Sequence, residues 1–250
     1  KYLRFFYCLR LEYAILTSMK TVIHRSEERG KGEYGWLTTR YSFSFADWYD
    51  PTKMGFGTLR VLNDDLIAPS HGFGKHGHKN MEIITIVMHG EVTHTDSMGN
   101  TGVVKAGDVQ VMSAGTGVLH AESNESASIP LELFQLWIES KVDGIIPRYE
   151  QKSFNFQTIK NDLMPLIHKD ALRINQDASI FYGALDKDVS IDYTLTDTTS
   201  GVYIFVIDGS LDVCNERLEK RDAVGVTEVE SVKIGTDTGA HFLVVEVGME

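Results

Sequence analysis

No stretch of this chain holds a 3.6-residue apolar period for more than two turns, so a helical fold is excluded at the outset. From Met19 onward the pattern is one of short apolar or alternating runs broken by glycine, asparagine and aspartate. In the first half these runs are Leu59 to Asn63, Glu82 to Met88, Val92 to Thr95, Asp108 to Met112, Val118 to Ala121 and Leu131 to Ile138. Ser179 to Ala184, Val202 to Ile207, Leu211 to Cys214, Val224 to Val229 and Phe242 to Val247 follow. Brief strands at intervals of about 8 to 12 residues belong to a sandwich or barrel, and the expected class is all-β. The 250 residues make one large β domain or two of about a hundred residues each.

Two of these regions carry the same chemical pattern. His76-Gly77-His78 runs into the β-branched stretch Ile83 to Met88, and His120-Ala121-Glu122 follows the turn Gly115-Thr116-Gly117. Residues two apart on a strand point to one face, about 6.6 Å apart along it. Two such strands facing each other across a small barrel would aim three imidazoles and one carboxylate at a single point. That donor set suits iron, nickel, copper or zinc and suits magnesium or calcium poorly. Four protein ligands around an octahedral ion leave two positions open, as a reactive site requires. Gly72, Gly74 and Gly77 permit a close backbone approach around the first pair. The remaining histidines, His24, His71, His89, His94, His168 and His241, read as structural or exposed. An outer role at the site stays open for His94, which adjoins the hairpin signal Asp96 to Asn100.

A net charge of −11 with scattered lysines and arginines argues against direct nucleic-acid binding, which needs a clustered basic face. No run of eighteen apolar residues exists, so no membrane span is expected. Cys8 and Cys214 form no disulfide framework and have no metal-site spacing; free thiols fit a reducing, cytoplasmic compartment. In residues 1–18, Arg10 and Glu12 interrupt the apolar stretch and no small-residue cleavage site precedes Met19, unlike a secretory leader. They are expected to be a non-native or disordered extension outside the fold.

A faint internal repeat links the halves. Val87 to Thr93, then a turn, then Lys105 to Val109 resembles Val206 to Asp212, then a turn, then Lys220 to Val224. The second copy has no paired histidines, so it is expected to be a structural partner without a metal. A linking segment is expected between Asp143 and Asp170, where the pattern is irregular and contains Pro147 and Pro165. The expected organisation is a metal-binding domain over residues 19–145 and a second domain over 146–250.

Several longer blocks resemble one family. They are Tyr41 to Pro51, Met54 to Gly57, Leu59 to Asp65, Phe73 to Glu82, His94 to Asn100, Met112 to Glu122, Leu136 to Ile138 and Pro147 to Gln151. Together they are similar to the pirin family of the cupin superfamily, close to the bacterial pirin-like quercetin 2,3-dioxygenases. The likeness is dense over residues 19–152 and loose beyond. It implies a bicupin, two β-barrel (double-stranded β-helix) domains packed together, with one metal in the first. The ligands it implies are His76, His78, His120 and Glu122. The chain departs from the general cupin pattern in two places: that pattern would put the acidic ligand at Glu82, and Ser113 replaces a common proline. The pirin pattern favours Glu122 and leaves Glu82 a structural role.

The resemblance further implies one divalent transition metal, with Fe(II) expected and Ni, Cu, Mn, Co and Zn compatible. A flavonol would be the substrate and dioxygen the co-substrate, with carbon monoxide released. Glu122 would accept the flavonol 3-hydroxyl proton, and the metal's charge would offset the enolate. Phe43, Phe45, Trp48, Tyr49, Phe56 and Phe73 are candidates to line an apolar mouth. A monomer is expected. The alternative reading is an iron-dependent regulatory protein that binds transcription regulators or metabolic enzymes, which the acidic charge permits. A zinc-containing sugar isomerase is disfavoured because no basic phosphate cluster is present.

Overall fold

The computed structural model describes residues 19–249, and every regular element among them is a strand apart from 3-10 turns at Ser26–Glu28 and Phe156–Thr158. The expectation for residues 1–18, and Cys8 with it, lies outside the described residues. The strands form four sheets: a seven-stranded and a four-stranded sheet in the first half, a six-stranded and a four-stranded sheet in the second.

Two-residue alternation decides which face goes where. On strand Met81–His89, Ile84 and Ile86 enter a core shared with the second half, whereas Ile83 and Val87 pack toward the first four-stranded sheet. On Ser200–Gly209, Tyr203, Phe205 and Ile207 enter the shared core, whereas Val202, Ile204 and Val206 face the second four-stranded sheet. The order of layers is therefore small sheet, seven strands, six strands, small sheet. Each large apolar side chain in the shared core, such as Phe134 or Phe205, contributes about 1.5–3 kcal/mol by leaving water. The all-β bicupin expectation holds, with the sheets facing one another as jelly-roll pairs rather than closing into barrels.

Sheet membership crosses residue 145 in both directions. Lys20–His24 pairs with Ala223–Thr227 in the second half, and Arg148–Ser153 pairs with Asp108–Ser113 in the first. Part of the expected linker is thus strand. Asp162–Ile167 is a strand too, and it carries Pro165 at the sheet edge beside a register shift, where a missing N–H costs nothing. The halves are also clasped by charge. Asp64 accepts from Arg221 Nε at 2.6 Å and lies 3.5 Å from Arg29 Nη1, while the two guanidiniums cover Phe134 and Phe205 across the interface.

The repeat is visible in hydrogen bonds. Gly90 and Gly209 take positive φ values of 74° and 78° at equivalent strand corners. Gly107 N donates to Val87 O at 2.9 Å, and Arg221 N donates to Val206 O at 2.8 Å, which matches Gly107 with Arg221, one residue before the Asp222 that the sequence repeat sets against it. The second sandwich is filled by Val202, Ile204, Leu211, Val213, Val232 and Ile234, and no histidine cluster occurs there among the described residues.

Candidate metal centre

The histidine pairs lie on neighbouring strands of the first small sheet, His71–His78 and Val118–Asn124, with His120 directly opposite His76. The next aligned pair is Glu122 with Phe73, so two residues on one strand span three on the other. This bulge restores Phe73 to the same face as His76, with ring centroids 6.5 Å apart. On the other side of Val118–Asn124 lies Glu91–Asp96, where His94 is directly opposite Glu122 and Asp96 opposite His120.

The ligand atoms of His76, His78 and His120 lie within 4.8 Å of one another. Glu122 belongs to a second such group, with His94 and His120, so His120 is common to both. The His76 Nδ1–H donates to Gly74 O at 2.8 Å, which leaves its Nε2 with the lone pair a metal needs. Burial, reinforced by the charges His120 and His76 would carry, lowers the His78 pKa to about 4. Burial, then repulsion from His76 and His94, lowers that of His120 to about 3. Both rings are therefore neutral at pH 7 and available as donors.

Glu122 is buried and held by amides. Gln110 Nε2 donates to Oε1 at 3.0 Å, Gln135 Nε2 donates to Oε2 at 3.0 Å, and Thr85 Oγ1 donates to Oε1 at 3.3 Å. These donors come from a polar row that crosses the seven-stranded sheet in direct register: Gln151, Gln110, Thr85, Gln135, Asn63 and Tyr41. Gln135 is fixed in turn, because Trp137 Nε1 donates to its Oε1 at 3.1 Å. Glu82 is elsewhere employed. Ser113 Oγ and Ser140 Oγ donate to its two oxygens at 2.5 and 2.8 Å, so the serine that replaces the common proline anchors Glu82.

Both ring nitrogens of buried His120 lack a hydrogen-bond partner, as does His94 Nδ1. Native interiors leave few polar atoms in that condition, and an ion would take up the lone pair of the one His120 nitrogen that carries no proton. The residues present therefore fit a transition metal. A cleft of about 1080 Å³ lies elsewhere, lined by Thr58, Lys141, Lys169 and Arg173 among others, and no residue of the cluster lines it. Donor chemistry, not cleft size, singles out the histidines.

Comparison with known proteins agrees. Residues 22–138 match the family model for pirin, and residues 166–247 match that for the quercetinase C-terminal cupin domain. The chain is 38% identical over 226 residues to quercetin 2,3-dioxygenase of Escherichia coli strain K12, covering 90% of this chain and 97% of that one. This chain belongs to the pirin family. A second relative, a putative quercetin 2,3-dioxygenase of Zymomonas mobilis, is 41% identical over 88% of this pirin and 94% of its own length. The crystal structure of the bacterial pirin YhhW of Escherichia coli in complex with nickel(II) superposes with a TM-score of 0.86 at 36% identity, covering 92% of this pirin and 99% of that chain.

Of the aromatic residues expected at the mouth of this pirin, Phe45 packs edge-on against Trp137, which packs against His78, while Phe73 adjoins His76. Phe43 and Phe56 do not line it. Both face the second half and are buried in the shared core. Sequence reasoning missed Gln110, Gln135 and Trp137 and left His94 undecided. Two signals were present: single polar residues inside otherwise apolar runs, and the two-residue spacing of His94 and Asp96.

Proposed function

We propose that this pirin is a metal-dependent dioxygenase that opens the ring of a flavonol such as quercetin with O2 and releases carbon monoxide. His76, His78, His120 and Glu122 would hold the ion, with Fe(II) the expected metal. The observation that carries this reading is the convergence of the His76, His78 and His120 ligand atoms within 4.8 Å of one another, with buried Glu122 grouped about the same His120. The names of the relatives supply the substrate class. A bound divalent ion supplies positive charge that offsets the enolate of the deprotonated substrate.

The chain's own residues then orient and deprotonate. His78, Trp137 and Phe45 form a run of edge-to-face rings with centroids 4.7 and 5.3 Å apart, an apolar wall suited to a planar aromatic. A carboxylate offers about four lone-pair sites, and Gln110, Thr85 and Gln135 already occupy three on Glu122. The one left serves an ion or a substrate proton, not both together. Acting as ligand and base at once requires releasing the longest bond, that from Thr85, whose hydroxyl is free to rotate.

The test combines elemental analysis of protein purified without chelators with an oxygen electrode and carbon monoxide detection on adding quercetin. Oxygen uptake with one carbon monoxide per quercetin is expected, and metal-loaded protein that consumes no oxygen would sink the reading. Glu122→Gln separates the two roles. Metal and turnover lost together indicate a ligand, and turnover lost at full metal occupancy indicates the base.

A further inference from the structure

We propose that the cluster offers a divalent transition-metal ion a second, inner position, held by His94, His120 and Glu122; this rests on the reading of the cluster as a metal site. Three observations converge on it. First, the ligand atoms of these residues lie within 4.8 Å of one another, and all three residues are buried. Backbone register enforces this, since His94 is the cross-strand partner of Glu122 and both belong to central strands of the small sheet.

Second, the His94 ring is prepared as a donor. Its side chain is 0% exposed, and Nε2 lies 3.2 Å from Asp96 Oδ2, which can only accept. Nε2 therefore carries a proton toward Asp96, and Nδ1 is the nitrogen left without a partner. Asp96 is itself fixed by Asn100 Nδ2 at 2.8 Å and by the amides of Met98 and Asn100 at 2.9 and 3.0 Å. Tyr149 stacks on the ring at 4.7 Å and 25°, which fixes its plane. A carboxylate that orients an imidazole from behind is the usual support of a metal-binding histidine.

Third, the chemistry selects the ion. Two imidazoles and a carboxylate suit zinc, nickel, copper or ferrous iron and not magnesium or calcium. Because a neutral imidazole has one lone-pair nitrogen, His120 serves one ion at a time. The inner and outer positions are alternatives for a single ion. An ion in the inner position has left the partly exposed His76 and His78 for fully buried donors.

Nickel(II) titration of the full chain, followed by calorimetry and elemental analysis, tests this. The wild type should bind one equivalent. The double variant His76→Ala/His78→Ala should still bind one, and adding His94→Gln, which removes one of the three inner ligands, should weaken that binding by more than the roughly 10- to 100-fold that loss of a mere outer support costs. A double variant that holds no nickel, or holds it unaffected by His94→Gln, overturns the inner position while the outer one stands. A wild type that binds no nickel overturns the metal-site reading itself. Should the double variant not fold, electron paramagnetic resonance of the Cu(II)-loaded wild type decides. Two sets of hyperfine values, one lost in His94→Gln, support the inner position; one set, unchanged in the variant, refutes it.

Discussion

Gln135→Glu is the sharpest probe of how Glu122 is held. Trp137 Nε1 fixes the side-chain oxygen of residue 135, so the other terminal atom must face Glu122 Oε2 at the 3.0 Å now spanned by an amide. In the variant two carboxylates meet there. Left ionised at that distance they repel by about 5–6 kcal/mol at an effective dielectric constant of about 20. Taking up one proton is cheaper. Starting from an ordinary Glu pKa near 4.3, it costs about 4 kcal/mol at pH 7. The folded state therefore takes the proton, while the unfolded chain does not. Folded protein then binds more protons than unfolded, so stability relative to wild type should rise by about 1.4 kcal/mol for each pH unit between pH 7 and about 5. Adding Glu122→Gln restores a donor and an acceptor to every bond. The amide introduced at position 122 would donate to the carboxylate introduced at position 135 and accept from Gln110 and Thr85. Most of the loss should return. The assay is urea unfolding of metal-free protein followed by tryptophan fluorescence. Trp36, Trp48 and Trp137, the only tryptophans in the chain, all lie in the first half and report on it selectively. A pH-independent loss, or no rescue by Glu122→Gln, would refute the bonding scheme.

Asp64→Ala removes the acid between Arg29 and Arg221 and leaves the buried Arg29 charge uncompensated, so urea unfolding should show a loss of about 3 kcal/mol. His24, hydrogen-bonded through Nδ1 to Tyr203 OH at 2.9 Å, has its pKa lowered to about 4, chiefly by burial. Between pH 6.5 and 4 the unfolded chain protonates this ring and the folded chain does not, so stability should fall by up to about 3 kcal/mol on acidification. His24→Gln should flatten that part of the pH curve, as read by denaturant midpoints. Nickel(II) at a hundred times its dissociation constant should stabilise the wild type by about 2.7 kcal/mol, seen as a raised melting temperature. His120→Ala, which removes the donor common to both ion positions, should abolish the rise.

How far the site was legible depends on which physical rule governs each part. The two-residue spacing of His76 with His78 and of His120 with Glu122 fixes a shared face whatever the tertiary fold, and the structure places these side chains as that rule requires. Register across strands is a different matter. That Glu122 lies opposite His94, or that Lys20–His24 joins a sheet two hundred residues away, follows from long-range pairing that no local pattern encodes. Between these extremes lies a signal that was present in the sequence. Thr85, Gln110 and Gln135 each interrupt an apolar strand at an inward position, and a polar side chain there must find a partner. Three such interruptions in three strands that turn out to be neighbours imply a common polar object between them and the facing sheet. Here that object is Glu122. His94-Thr95-Asp96 carries the same spacing as the two donor pairs, and read on equal terms it would have placed a fourth histidine at the centre. The same alternation organises the rest of this face. The bulge opposite Ala121 brings Phe73 beside His76, so the face presents polar donors toward His94 and aromatic rings toward Trp36, with His120 at the junction. A metal near His120 would have an apolar approach on one side and a fixed hydrogen-bond network on the other, the asymmetry needed to admit an aromatic ring while controlling one proton.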